Sequence, residues 1–338
     1  TQGVSSAASD VYKRQAYIFA KIAIMEYLTS GITSAFDMYI YPKEVIQACV
    51  DCGFRIVQVS GLNNFTSSLE ELEEQYVTYN DYHELCSYKL GFHAEYTTDK
   101  KLLEGLAGLS EKYHAPVYTH NSETKREVEE CRQRYGKSPT QLFEEMGLYR
   151  YGGGGYHCIW FDDEDIDIFA KRNLSVITNP ASNLKLASGI APLKKMQEAG
   201  INLAIGTDGP ASNNCLDMFR EMFLVTGLAK LREHDAAVMD ANDVLYMATT
   251  GGAKAMGLSD CDCLAVGKKA DLFLMDLMQP NMQPEHNLTK NLVYSGSKQN
   301  VKLTMVNGKI LYEDGQFFIS EEPQEIYKKA NEIVSRMK

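Results

Sequence analysis

The segment Asn202-Leu-Ala-Ile-Gly-Thr-Asp208 is a short apolar run that ends on a carboxylate. Such a run, bounded by polar or turn-forming residues, is typical of a buried strand in a parallel sheet. Similar runs occur upstream, and segments with helical periodicity separate them; the runs are residues 31–37, 55–61, 89–96, 116–120, 155–160 and 175–179. This alternation predicts seven βα units around a parallel sheet.

The expected fold is a TIM (β/α)8 barrel that lacks its first strand. A closed barrel of this type has eight strands, and the chain begins with a helical stretch, residues 17–30, that would ordinarily follow a strand. The length of 338 residues suits a barrel of roughly 250 residues with an appended unit. An open, doubly wound seven-stranded sheet is the alternative, but it would leave two sheet edges exposed.

The C-terminal part predicts a small β unit closed by a helix. Residues 270–276 and 291–294 read as short strands, and residues 301–317 read as a hairpin. Asn307 and Gly308 stand at its turn, where a type I′ geometry requires positive φ at both positions. The helix is expected over residues 323–338. Residues 1–15 are small and polar, then basic, without periodicity, and are expected to be a non-native or unstructured leader.

Composition and charge exclude several kinds of partner. The net charge of -11 argues against nucleic acid, and no apolar stretch is long enough to span a bilayer. The N-terminus has no secretion signal, so we expect a cytoplasmic protein whose eight cysteines are reduced. The sequence leaves self-association as a homo-oligomer open. The expected ligand is a small molecule.

Four polar side chains occur at or near the ends of predicted strands. They are His93, His120, His157 and Asp208. Because the carboxyl ends of barrel strands converge on one face, these side chains are expected to share a pocket. Imidazole and carboxylate are the ligands of catalytic zinc or iron, so His120 and Asp208 are candidate metal ligands. Each could instead be a structural, hydrogen-bonded group.

Glu123 lies three residues after His120 and could exchange a proton with a water molecule or a leaving group. It could equally be an acid at the N-terminus of a helix predicted over residues 125–134. The residue types alone leave both interpretations open.

Several motifs together resemble the amidohydrolase superfamily, in the group that contains methylthioadenosine and S-adenosylhomocysteine deaminases, guanine deaminase and triazine chlorohydrolases. The likeness extends from Ala16 almost to the end, and its motifs lie at residues 31–39, 93–97, 119–124, 182–189, 206–214, 267–272 and 306–309. It implies a barrel over residues 16–258, a partial composite β-sandwich over 259–320 and a C-terminal helix over 321–338.

The resemblance also implies roles for individual residues. His120 and Asp208 would be metal ligands, Glu123 the proton shuttle, and His157 the group that orients the attacking hydroxide. The substrate contacts it implies are His93, Asn183, Lys185, Ser212 and Asn213. The implied reaction is attack of a metal-bound hydroxide on a ring carbon of an adenosine-like purine, with release of ammonia. One divalent metal ion, zinc or alternatively iron, is the expected cofactor, without an organic one.

Two features depart from the family pattern. Glu95 replaces a usual proline, and the chain contains no His-x-His, which the missing first strand would supply. We therefore expect this 338-residue chain to bind metal weakly and to turn over poorly.

The alternatives to deamination of an adenosine-like purine are guanine deamination, chloride or amine displacement from an s-triazine, and an inactive scaffold or binding protein. A dinucleotide-binding protein is disfavoured, because the glycine run 152–155 lacks the required spacing and is expected to be a flexible lead into a strand.

Overall fold

The computed structural model describes residues 2–336, with side chains from residue 12 onward. Seven parallel strands form one sheet in chain order. They are β1 (Ser34–Met38), β2 (Arg55–Val59), β3 (Cys86–Phe92), β4 (Val117–Asn121), β5 (Gly153–His157), β6 (Ser175–Thr178) and β7 (Asn202–Ile205). All seven strands predicted from the apolar runs are present, in the predicted order.

Helices connect the strands, and most of them pack on the outer face of the sheet. They are α1 (Gln2–Thr29), α2 (Pro42–Cys52), α3 (Leu69–Asn80), α4 (Lys100–Tyr113), α5 (Lys125–Tyr135), α6 (Pro139–Glu145), α7 (Asp163–Lys171), α8 (Pro180–Lys185), α9 (Leu193–Glu198), α10 (Pro210–Asn213), α11 (Met218–Glu233), α12 (Ala241–Tyr246) and α13 (Gly252–Met256). The main hydrophobic core lies between this helical layer and the sheet, with Leu90, Val117, Val176 and Leu203 on the sheet side.

The sheet curls into a TIM-like barrel wall. The Phe36 ring on β1 lies 4.9 Å from the Tyr118 ring on β4 and 5.6 Å from the Tyr156 ring on β5, between centroids. In a flat sheet, strands three places apart would be about 14 Å apart, since neighbours are spaced by about 4.8 Å. These contacts therefore cross a concave interior, which a second cluster including Val59, Ile177 and Ala255 fills.

The structure differs from the expected unstructured leader. Helix α1 extends back to Gln2, so residues 12–15 are helical, and Gln15 is buried. The side chains of residues 1–11 lie outside the described part, and whether the segment is native stays a prediction. Further along α1, Ile18 and Met25 pack on Ile326 and Ala330 of the last helix, α15 (Pro323–Arg336).

A smaller antiparallel sheet has the order β11, β10, β9, β8. Its strands are β8 (Leu272–Met275), β9 (Val301–Val306), β10 (Lys309–Glu313) and β11 (Gln316–Phe317). The predicted hairpin is confirmed, and Asn307 and Gly308 at its turn have φ of 50° and 77°. Thr304 donates its hydroxyl to the Leu28 carbonyl oxygen at 2.7 Å, which attaches this sheet to α1.

The predicted strand at residues 291–294 is wrong, because this segment belongs to α14 (Leu288–Ser295). Asn287 caps that helix by accepting a hydrogen bond from the Lys290 backbone N–H at 2.9 Å. The helix buries Val293 against the main core. A short apolar run without a clear period is ambiguous between strand and helix, and here the cap decides.

The eight cysteines are all unbridged, as expected. Among the described residues, no helix combines the length and apolar character needed to cross a membrane.

Candidate active site

The predicted catalytic residues lie at one end of the parallel sheet. His93 follows β3, His120 lies within β4 and Glu123 follows it, His157 ends β5, and Asp208 follows β7. The strands are parallel, so these positions all lie at their carboxyl ends. The structure thus brings together residues that are up to 115 positions apart (208 − 93) in the chain.

Three imidazole rings form a row. The centroid of the His120 ring lies 5.1 Å from that of His93 and 5.6 Å from that of His157, and it stacks on the latter with an interplanar angle of 27°. His120 Nδ1 is 2.8 Å from the His93 carbonyl oxygen. A carbonyl only accepts, so Nδ1 carries the proton, and Nε2 presents its lone pair.

Burial, together with the neighbouring His157 and His93, lowers the pKa of His120 to about 3. The ring is therefore neutral near pH 7, which is the form that binds metal ions. Its orientation by a backbone carbonyl is the arrangement typical of metal-binding histidines.

Asp208 is held as a carboxylate. Burial alone would raise its pKa, but the Ser182 hydroxyl, the nearby His157 and the Gly209 backbone N–H together lower it. Ser182 Oγ donates to Asp208 Oδ2 at 2.5 Å, and the Gly209 N–H donates to Oδ1 at 2.7 Å. An ionised carboxylate is an effective ligand for a divalent cation.

Glu123 faces His157 across the pocket. Its Oε2 lies 3.9 Å from His157 Nε2, and its Oε1 accepts a hydrogen bond from the Ser188 hydroxyl at 3.2 Å. The capping acid of α5 is Glu127, whose carboxylate accepts from the Ser122 and Glu123 backbone N–H groups at 3.1 and 2.8 Å. The helix-terminal role considered for Glu123 therefore belongs to Glu127.

His157 is buried, and its Nδ1 lies 2.7 Å from Asn183 Oδ1. Its backbone has φ of 69°, and Ser122, Cys158 and Asp208 also have positive φ, of 50°, 51° and 57°. Left-handed backbone at non-glycine residues is sterically costly and concentrates at functional sites. The strain at the ends of β4, β5 and β7 thus coincides with the proposed reactive groups.

Three of the five expected substrate contacts, His93, Ser212 and Lys185, are at least partly exposed. His93 is half-buried at the pocket, with Nδ1 3.0 Å from the Thr97 hydroxyl, and Ser212 is half-buried, donating to the Gly209 carbonyl at 3.1 Å. Lys185 is exposed and donates to the Ala211 carbonyl at 3.0 Å and to the Asn214 side chain.

The other two expected substrate contacts, Asn183 and Asn213, make hydrogen bonds within the protein, and their role toward substrate stays a prediction. Asn183 is buried against His157. Asn213 is buried, and its amide donates to the Thr207 carbonyl at 2.6 Å and to Glu221 Oε1 at 2.8 Å. Both amides thus contact groups that carry or support the predicted reactive residues.

Glu95, which departs from the family pattern, is buried and forms an ion pair with the half-exposed Arg134 near the end of α5. Burial raises its pKa, and the arginine partly offsets this. The pair joins the turn after His93 to α5, the helix that begins just after Glu123.

Sequence reasoning missed three supporting residues: Ser188, Glu127 and Glu221. For Glu127 a signal existed, since Thr124 and Glu127 have the Thr-x-x-Glu spacing of a capping box, and the structure contains that box. Glu221 carried no local signal, because its partners lie on other elements.

The donors present fit a divalent metal ion in part. His120 Nε2 and the Asp208 carboxylate supply the right atom types, but no group of three or more His, Cys, Asp or Glu within the described part could hold such an ion. Two protein ligands are fewer than the three typical of catalytic zinc.

Comparison with known proteins identifies the family of the chain. A model described as "Amidohydrolase family" matches residues 5–311. The 5-methylthioadenosine/S-adenosylhomocysteine deaminase of Thermoanaerobacter pseudethanolicus is 35% identical over 93% of this chain and 76% of its own length. The 5'-deoxyadenosine deaminase of Methanothermobacter thermautotrophicus is 36% identical over 90% and 73%.

Among solved structures, an adenosine deaminase from Xanthomonas campestris with bound zinc superposes with a TM-score of 0.90 at 32% identity, over 95% of this chain and 75% of that one. Fold, strand-end residues and relatives agree that this is a hydrolytic enzyme, and the chain belongs to the amidohydrolase family.

Proposed function

We propose that the chain deaminates the purine ring of an adenosine-like compound, of the S-adenosylhomocysteine or methylthioadenosine class. The single observation that carries this proposal is the convergence of Glu123, His157 and Asp208 with His120 at one end of the sheet. An acid, an oriented imidazole and two metal-type ligands are the groups that hydrolysis of a ring amidine requires. The names of the relatives at 35% and 36% identity favour this substrate class.

His120 and Asp208 would hold a divalent ion, with zinc preferred because a zinc-bound relative superposes well. When bound, such an ion lowers the pKa of water toward neutrality. No other cofactor is invoked. The rate of the chain is expected to be low, because within the described residues two candidate ligands come together, fewer than the three typical of catalytic zinc.

Glu123 transfers the proton, and His157 orients the water. Glu123 takes a proton from the attacking water and delivers it to the ring nitrogen next to the attacked carbon. His157, fixed through Nδ1 by Asn183, orients the water with Nε2. The new carbon–oxygen bond forms, and the remaining hydroxyl proton is transferred to the amino group. The carbon–nitrogen bond then breaks, the amino group leaves as ammonia, and the ring carbon becomes a carbonyl.

The test is ammonia release at high enzyme concentration with added Zn²⁺. S-adenosylhomocysteine, methylthioadenosine, 5'-deoxyadenosine, guanine and an s-triazine would be compared. Turnover of the adenosine-type compounds supports the proposal, and preference for guanine or for the triazine selects one of the alternative reactions. A chain that binds these purines and releases no ammonia would be a binding protein instead.

Metal binding is tested separately by calorimetric titration of the metal-free chain with Zn²⁺. Weak binding that disappears in His120→Ala and persists in His286→Ala is expected, since His286 is exposed and precedes α14 rather than ending a strand of the parallel sheet. Equal affinity in both variants would show that His120 is not a ligand.

A further inference from the structure

Glu221 is a buried carboxylate behind the candidate active site. It lies in the first turn of α11 and has no exposed surface. An unpaired buried charge is costly, so its hydrogen-bond partners indicate what the residue is for. Burial raises its pKa to about 7, and its partners offset part of that effect.

The first partner is the N-terminal turn of α8, the short helix that follows β6. The Ala181 backbone N–H donates to Glu221 Oε2 at 3.0 Å. The next two residues contact the reactive groups directly, since Ser182 donates to Asp208 and Asn183 contacts His157 Nδ1 at 2.7 Å. One carboxylate oxygen thus anchors the segment that orients both groups.

The second partner is Asn213 on α10. Its Nδ2 donates to Glu221 Oε1 at 2.8 Å and to the Thr207 carbonyl oxygen at 2.6 Å. Thr207 immediately precedes Asp208. The Asn213 amide therefore links Oε1 of Glu221 to the backbone of the residue that precedes Asp208.

We propose that Glu221 is a positioning residue for the reaction: its carboxylate joins the Ala181–Asn183 segment to the Thr207–Asp208 strand end and so fixes the orientations of His157 and Asp208. This inference rests on the proposed function for its kinetic consequence. The geometric consequence, a fixed His157 ring, is independent of the substrate. Supporting side chains around metal and catalytic groups typically contribute about 10 to 100-fold in activity.

The experiment compares Glu221→Ala and Glu221→Gln with Glu233→Gln, at the far end of α11. Glu221→Gln keeps the volume and one acceptor for the Ala181 N–H, but it places an NH2 group opposite the Asn213 amide. We expect kcat to fall by about 10 to 100-fold in Glu221→Ala, less in Glu221→Gln, and not in Glu233→Gln. KM should stay within about threefold, because the proposal gives the Glu221 carboxylate no contact with substrate.

Histidine ¹⁵N NMR of the metal-free chain supplies a readout that does not need turnover. In the wild type, Asn183 should hold the His157 ring in one tautomer, protonated at Nδ1, as its hydrogen-bond geometry indicates. In Glu221→Ala that signal should shift or broaden, while the exposed His286 stays unchanged. Glu221→Gln provides the same test if the alanine variant does not fold.

A His157 signal that stays unchanged in a folded Glu221 variant would overturn the proposal, whatever happens to stability. Loss of activity that only follows loss of folded protein would do the same. If the wild type deaminates none of the purines, the proposed function fails, and the NMR comparison still decides whether Glu221 positions His157.

Discussion

His120 is neutral chiefly because it is buried. His157 and His93, which lie on either side of its ring, lower its pKa further. Its proton is fixed at Nδ1 by a backbone carbonyl. A histidine in this state is ready to bind a cation, but it destabilises the folded chain in acid.

The metal-free chain should therefore lose stability as the pH falls from 6.5 toward 3. The unfolded His120 takes up a proton near pH 6.5, whereas burial lowers the pKa of the folded residue to about 3. The contribution is fully present above pH 6.5 and is lost below it, with a slope of at most about 1.4 kcal/mol per pH unit. Thermal unfolding in EDTA should show a smaller acid decrease in Tm for His120→Gln.

His286→Gln is the control for this measurement, because His286 is exposed on a loop. It should retain the wild-type acid decrease in Tm. An identical decrease in the wild type and in His120→Gln would show that His120 is not held neutral by the fold.

The residues of the site that could be predicted are those at or near the ends of the apolar runs that predict strands. His120 and Asp208 could be found because each follows an apolar run, and Glu123 because it lies near one of them. Ser188 and Glu221 could not, because they act through residues 65 and 40 positions away on other elements. The hydrogen bonds of Asn183 to His157 and of Asn213 to Glu221 could not be predicted either, because those partners lie on other elements.

At the scale of elements, the glycine run shows how a local pattern can mislead. We expected residues 152–155 to form a flexible lead, but residues 153–155 lie within β5, paired with β4 on one side and β6 on the other. Gly153 has φ of 133°, and a Cβ there would lie 1.8 Å from the Val117 carbonyl oxygen. Glycine allows the backbones to approach closely just before His157.

Gly153→Ala should destabilise the protein by about 3 kcal/mol, because it combines backbone strain with a clash against β4. Gly108→Ala is the matched control: Gly108 is exposed in α4, with no atom within 4 Å of an added Cβ. It should be stabilising by about 0.5 to 1 kcal/mol, since alanine favours helix. Urea unfolding measures both, and equal effects would contradict the close approach of β4 and β5.

At the scale of the whole molecule, one buried ion pair joins the two sheets. Arg55 on β2 donates from Nε and Nη2 to the two oxygens of Asp271, at 2.7 and 2.9 Å. Asp271 also accepts the Asn307 backbone N–H at 2.7 Å, at the turn of the hairpin. Both side chains are only 2% exposed. No local pattern predicts this pair, whose members are 216 residues apart.

Arg55→Ala should cost about 3 to 5 kcal/mol, because it leaves the Asp271 charge buried and unpaired. Arg126→Ala removes an exposed arginine that pairs with Glu130 on α5, and should cost at most about 0.5 kcal/mol. Chemical denaturation of both variants checks this. A small effect for Arg55→Ala would mean that water reaches the junction between the two sheets.

The most direct measurement of the central claim is the rate of ammonia release from S-adenosylhomocysteine by Glu123→Gln. Glu129→Gln serves as the control, since Glu129 is exposed on α5 and pairs with the likewise exposed Lys125. If Glu123 transfers the proton, the rate should fall by about a hundredfold or more in Glu123→Gln and stay unchanged in Glu129→Gln. An undiminished rate in Glu123→Gln would contradict the assignment of these residues to one catalytic site.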